Sequence, residues 1–112
     1  MVTPHQKPCR FDVFLVNLDP TQGAGICKTR PCVIISPDEM NHTLATVIVA
    51  PMTTTIRSYP TRVSLLFSDK KGQISLDQMR TLDQNRLVKK LGVIPNAQKK
   101  KIFQILHHMF SE

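Results

Sequence analysis

Two short apolar runs, each shut by a proline, constrain this chain more than any other feature. The first, Pro31-Cys32-Val33-Ile34-Ile35-Ser36, ends at Pro37-Asp38, and the second, spanning 44–50, ends at Pro51. Runs this short, rich in β-branched residues and bounded by turn formers, suit strands rather than helices. Each run also abuts polar chemistry. Lys28-Thr29-Arg30 precedes the first, and Met52-Thr53-Thr54-Thr55 follows the second. A guanidinium and a hydroxyl held at strand ends together suit a polyanion.

The rest of the chain reads as further short strands. One spans 11–18 and is stopped by Asp19-Pro20; a loop over 21–29, holding Gly23 and Gly25, is expected to be mobile. A segment over 39–43 leads into the second apolar run, and a polar loop over 53–60 carries Arg57 and Tyr59. A strand over 61–67 alternates polar and apolar residues, and 68–72 is a turn. Residues 73–82 alternate most regularly. As one strand they send Ile74, Leu76, Gln78 and Arg80 one way and Ser75, Asp77, Met79 and Thr81 the other, unless a bulge intervenes. Asp83 and Gly92 bracket an expected helix over 84–91. Asn96 is placed to cap a second helix over 97–110, whose Ile102, Ile105, Leu106 and Met109 form an apolar stripe. The expectation is a mainly β fold with α (α+β): a small, strongly bent antiparallel sheet or barrel with a C-terminal helix packed on it.

At 112 residues the chain is read as one domain, 1–112, with 1–10 as a flexible lead-in. Fifteen Lys and Arg against eight Asp and Glu give a net charge of +7, which draws polyanions or an acidic protein partner. Three cysteines, none in a Cys-x-x-Cys pair, argue against a disulfide framework or a zinc site and for a reducing cytosol. No apolar stretch reaches membrane-spanning length, and the first ten residues lack a signal-like apolar core.

Arg30 heads the candidate residues. Pro31 disfavours helix at the residue before it, so the Arg30 backbone is extended while its side chain is free to grip a phosphate bidentately. Thr53, Thr54 and Thr55 offer hydroxyl donors, although a threonine at a strand end more commonly bonds to its own backbone. Asp77, Gln78, Arg80 and Thr81 form a third group, in which Arg80 has an ordinary alternative as the ion-pair partner of Asp77 or Asp83. Arg57, Arg62, Arg86 and the Lys99-Lys100-Lys101 run carry less weight, the lysines being most simply a solvated helix face. His107 and His108 are helix neighbours and point apart, so no two-histidine acid–base pair is available. No spacing for metal ligands, a phosphate-cradling glycine loop or a cofactor is present.

Taken together, the segments resemble the MazF/PemK/Kid family of toxin–antitoxin ribonucleases. The resemblance runs from about Phe11 to the end. It rests on Asp19-Pro20-Thr21 with Gly23, Thr29-Arg30-Pro31 leading into Val33-Ile34-Ile35-Ser36-Pro37 with Asn41, Ala50-Pro51-Met52-Thr53, and Asp77-Gln78-Met79-Arg80-Thr81-Leu82-Asp83 followed by Arg86-Leu87. It implies an SH3-like barrel of five to seven strands, a homodimer, and metal-independent cleavage of single-stranded RNA. It further implies neutralisation by a cognate antitoxin with an acidic, disordered tail lying in the nucleic-acid groove, operator DNA being met only through that complex. By the same resemblance Arg30 and Thr53 are the catalytic pair. For the RNA groove, Lys28, Thr29, Asn41, Thr54, Arg57, Asp77, Gln78 and Arg80 are the contact candidates. Asn41 and Gln78 are open to a structural reading as well. The chain departs from the family pattern at Ala24, Gly25-Ile26 and Ser75, and no general base is assigned. Two other functions fit the same fold: a non-enzymatic gyrase poison like the CcdB relatives, and an inert nucleic-acid-binding module.

Overall fold

The second apolar run becomes the spine of the molecule. The computed structural model describes residues 7–18 and 29–111, and its longest strand is β3 (Thr46–Thr53). The other strands are β1 (Asp12–Asn17), β2 (Thr29–Ile34), β4 (Arg62–Phe67), β5 (Lys70–Ser75), β6 (Arg80–Asp83) and β7 (Leu87–Val93). Helix α1 (Asp38–Thr43) links β2 to β3, and α2 (Asn96–Met109) closes the chain. The seven strands form one antiparallel sheet in the order β4-β5-β3-β2-β1-β7, with β6 also pairing β3.

Both faces of the central strands are buried, which explains why they read as continuous apolar runs rather than alternating ones. Val33 of β2 and Ala50 and Met52 of β3 join Val63, Ile74, Leu76 and Ile102 in a core roofed by α2. Cys32 and Ile34 of β2 and Val47 and Val49 of β3 point the other way and meet Phe14, Val16, Leu82 and Leu87. The sheet bends so that β6 and β7 cover this second core. Buried Asp12 is satisfied by the Cys9 amide at 2.9 Å and by the Lys90 ammonium at 3.3 Å.

Four expectations are corrected. Residues 73–82 are not one strand: Met52 pairs with Ile74 but Val49 pairs with Arg80, so three steps along β3 match six along its partner. The three extra residues, Leu76–Gln78, form a single 3-10 turn, anchored by the buried Leu76 side chain. Residues 84–91 are not a helix. Only Gln84–Arg86 makes a 3-10 turn, and Leu87–Val93 pairs as β7 along β1, which would otherwise present an unpaired edge. In α2, Asn96 is the first helical residue rather than the cap; Pro95 precedes it, and no side chain caps the end. The described part of the lead-in is tethered: the Arg10 amide donates to Asp38 Oδ1 at 2.8 Å and its Nε to the Ile35 carbonyl at 2.8 Å. Residues 1–6, and the expected mobile loop up to and including Lys28, lie outside the described residues. The turn near 68–72 tightens to Ser68 and Asp69, both at positive φ (50° and 62°), the geometry of a two-residue hairpin. Gly72 lies inside β5 instead.

Candidate active site

The first residues of β2 and the last of β3 open onto one cleft. Cys32 pairs with Pro51; carrying that antiparallel register on by two residues brings Arg30 opposite Thr53, and both line a cleft of about 620 Å³. Its walls also carry Thr55, Arg57, Tyr59, Arg62, Asp77, Gln78 and Arg80. Four guanidinium groups thus face one carboxylate. That carboxylate is taken: Asp77 accepts from Arg62 Nε at 2.9 Å and from the Thr61 hydroxyl at 3.0 Å. The charge of Arg30, Arg57 and Arg80 is therefore without an acidic partner among the described residues.

The looped-out turn explains why Asp77 and Gln78 reach the cleft together with Arg80. An unbroken strand would send Asp77 to the opposite face from Gln78 and Arg80; the 3-10 turn cancels that alternation. Burial would raise the Asp77 carboxyl, but the bonds from Arg62 and Thr61 outweigh it and hold the group below the usual carboxylate range. Of the alternatives for Arg80, pairing with Asp77 is ruled out, since Arg62 takes that place.

Thr53 is prepared for donation. Its Oγ1 accepts the Thr55 amide at 3.0 Å, which fixes the oxygen and leaves the hydroxyl proton to point elsewhere. The adjoining strand, β5, comes very close: a Cβ on Gly72 would sit 2.8 Å from the Thr53 carbonyl oxygen. Gln73, the register partner of Thr53, reaches the loop at 54–61. Its Oε1 accepts the Arg57 amide at 3.0 Å and its Nε2 donates to the Arg57 carbonyl at 2.9 Å. A buried amide thereby holds both backbone polar groups of a cleft arginine. Tyr59, 51% exposed, lies under the Arg62 guanidinium at 5.0 Å and presents an aromatic ring to the cleft.

Beneath the cleft, burial pushes the Cys32 thiol up to about 12, only partly offset by nearby Arg30 and Arg80. It is a packing residue, not a nucleophile.

The remaining candidates divide. Thr54 lines an adjoining groove of about 510 Å³ that shares Arg30, Thr53 and Thr55 with the cleft. Thr29 is exposed beside Arg30 at the start of β2 but lines neither space. Lys28 lies outside the described residues. Asn41 is corrected as an RNA contact: it is fully buried in α1, where its Nδ2 donates to the Ser36 carbonyl at 2.9 Å and its Oδ1 accepts the Ser36 hydroxyl. Thr55, one of the three hydroxyl candidates, does line the cleft, whereas Tyr59 and Gln73 were not singled out from the sequence. The Tyr59 ring beside Arg57 was the one local signal, whereas the Gln73–Arg57 contact spans sixteen residues.

A family model described as the PemK-like, MazF-like toxin of type II toxin–antitoxin systems matches residues 9–110. A protein named Endoribonuclease MazF from Staphylococcus saprophyticus is 41% identical over 99 residues, covering 83% of this chain and 82% of that one. A solved endoribonuclease in complex with its cognate antitoxin, from a mycobacterial species, superposes with a TM-score of 0.76 at 31% identity, covering 90% of this chain and 92% of the other. MazF from Deinococcus radiodurans shares the fold, with a TM-score of 0.75 at 23% identity over 92% and 96% of the two chains.

Proposed function

The chain belongs to the family of PemK-like, MazF-like toxins of type II toxin–antitoxin systems, and we propose that it is an endoribonuclease that cuts single-stranded RNA with Arg30 and Thr53 as its catalytic pair. One observation carries this reading: Arg30 and Thr53 come from neighbouring strands to the same arginine-lined cleft. In the proposed reaction the ribose 2′-oxygen attacks the adjacent phosphorus. The P–O5′ bond breaks, the proton given up by the 2′-hydroxyl is balanced by one taken up by the departing 5′-oxygen, and a 2′,3′-cyclic phosphate is left on one fragment and a 5′-hydroxyl on the other. Arg30 neutralises the charge that builds on the phosphorane, and the Thr53 hydroxyl donates to a non-bridging oxygen. Each preorganised donor of this kind stabilises a transition state by about 3 kcal/mol. The guanidinium groups supply the positive charge, so the reaction is proposed to need no metal.

The same cleft suits the substrate class. A single strand leaves its bases free to stack and its backbone free to follow a cationic channel. Tyr59 offers the stacking face, Arg57 and Arg80 the phosphate contacts, and Gln78 a base-edge contact. Asp77, tied to Arg62 and Thr61, orients that wall rather than accepting the 2′-proton. An acidic antitoxin tail is proposed to occupy the cleft in competition with RNA, and the toxin to act as a homodimer.

The test is incubation of wild-type and Arg30→Ala protein with a long, unstructured RNA in excess EDTA, followed by mapping of the ends. The expected result is cutting at a recurring short motif with 5′-hydroxyl products, lost in the variant. Folded wild-type protein that leaves RNAs of varied sequence intact contradicts the proposal. Inhibition of gyrase supercoiling in that event would point to the CcdB-like reading.

A further inference from the structure

A second group of reactive side chains gathers beyond the far end of β2, away from Arg30. Cys9 stands just ahead of β1, while Asp38 and His42 occupy positions i and i+4 of α1 and so share one helix face. The Cys9 Sγ, a carboxylate oxygen of Asp38 and a ring nitrogen of His42 all lie within 4.8 Å of one another. Around a tetrahedral zinc ion, bonds of about 2.0–2.3 Å hold ligand atoms roughly 3.3–3.8 Å apart. Small side-chain rotations close that gap.

Backbone hydrogen bonds already position two of the three residues, and ligation would give up only the long contact of 4.0 Å from the Cys9 thiol to the Lys7 carbonyl. The Cys9 amide donates to Asp12 Oδ2 at 2.9 Å, which fixes the cysteine backbone. The Arg10 amide donates to Asp38 Oδ1 at 2.8 Å, leaving Oδ2 available. A ligating carboxylate oriented by a backbone donor is the usual arrangement around protein-bound metals. His42 is exposed on α1, and its ring nitrogen already lies on the side of the other two ligand atoms.

We propose that Cys9, Asp38 and His42 bind a divalent transition metal, zinc by ligand type, with the fourth position open to water. Thiolate and imidazole ligands favour zinc over magnesium or calcium, which prefer all-oxygen sites. Ligation as the thiolate releases the Cys9 proton on binding. The ion ties the segment before β1 to α1. Its effect falls on stability, not on the chemistry of the cleft. The sequence hides the site because its ligands are separated by 29 and 4 residues instead of sitting in a Cys-x-x-Cys pair.

The experiment titrates chelator-treated full-length protein with cobalt(II) alone and follows the thiolate-to-cobalt charge-transfer band and the tetrahedral d–d bands. Zinc alone is then added to displace the cobalt. Wild type is expected to show both sets of bands, which zinc abolishes, and zinc is expected to raise the melting temperature. Cys9→Ser should lose the charge-transfer band. His42→Ala, at an exposed position unlike the half-buried Cys9, should bind at least about tenfold more weakly and lose the zinc-dependent stabilisation. Cys27→Ser should keep the bands, and RNA cleavage should be unchanged in all three variants. A wild-type protein without the charge-transfer band overturns the proposal. So does a band that survives Cys9→Ser or disappears with Cys27→Ser.

Discussion

Asp77 shows how one side chain can sit among groups proposed as catalytic without sharing their task. Its carboxylate faces the cleft, where a general base could stand, yet Arg62 and Thr61 occupy it. Because its folded value is lowered, the interaction is complete above the unfolded value of about 3.9. It weakens only as pH falls through the lower folded value. Asp77→Asn should therefore reduce cleavage by loosening Arg62, while leaving the shape of the pH–rate profile unchanged between about pH 5 and pH 8. Disappearance of a limb of that profile in the variant would assign Asp77 the base role instead. Arg30 and Thr53 were legible as candidates because their surroundings, Arg-Pro before one apolar run and Pro-Met-Thr after the other, are local in the chain. Asn41 was misplaced because its burial against Ser36 depends on how α1 packs, which no neighbouring residue announces.

At the scale of elements, the β3–β5 contact governs the position of Thr53. Gly72 leaves no room for a side chain, since a Cβ would approach the Thr53 carbonyl to 2.8 Å and meet backbone rather than a flexible side-chain end. Gly72→Ala should push β5 away from the end of β3. The expected outcome is a destabilisation of about 1–3 kcal/mol by denaturant titration, with cleavage at saturating RNA falling further than the loss of folded protein explains. Unchanged stability and activity would mean that the strand end is looser than described. The elements also show which parts of the fold the sequence reveals. Helix α2 was recognisable because its stripe of Ile102, Ile105, Leu106 and Met109 is a local periodicity. β7 was not: Leu87–Val93 becomes a strand because β1 needs a partner on that edge. The break at Leu76–Gln78 was hidden for a similar reason, as it shows only when the register along β3 is counted.

Across the whole molecule, the +7 charge is given direction by the fold. Arg30, Arg57 and Arg80 come from three separate parts of the chain and meet in the cleft with no carboxylate partner among the described residues. If three cations each neutralise a phosphate, the logarithm of RNA affinity should fall with that of salt at a slope near −2, roughly 20-fold between about 50 and 200 mM. Arg57→Ala should flatten the slope by about 0.7. A salt-independent affinity would remove the cleft as the RNA path. No described helix is long and apolar enough to cross a membrane.

The central claim is that Arg30 and Thr53 act on the phosphate in the transition state, and single-turnover cleavage at saturating single-stranded RNA tests it most directly. Wild type, Arg30→Ala and Thr53→Val would be compared after circular dichroism has shown that all three are folded. Thr53→Val is expected to lower the chemical rate about 10²–10³-fold with RNA affinity nearly unchanged, and Arg30→Ala to lower it at least as much. Thr53→Val cutting at the wild-type rate, or losing only affinity, would contradict that claim.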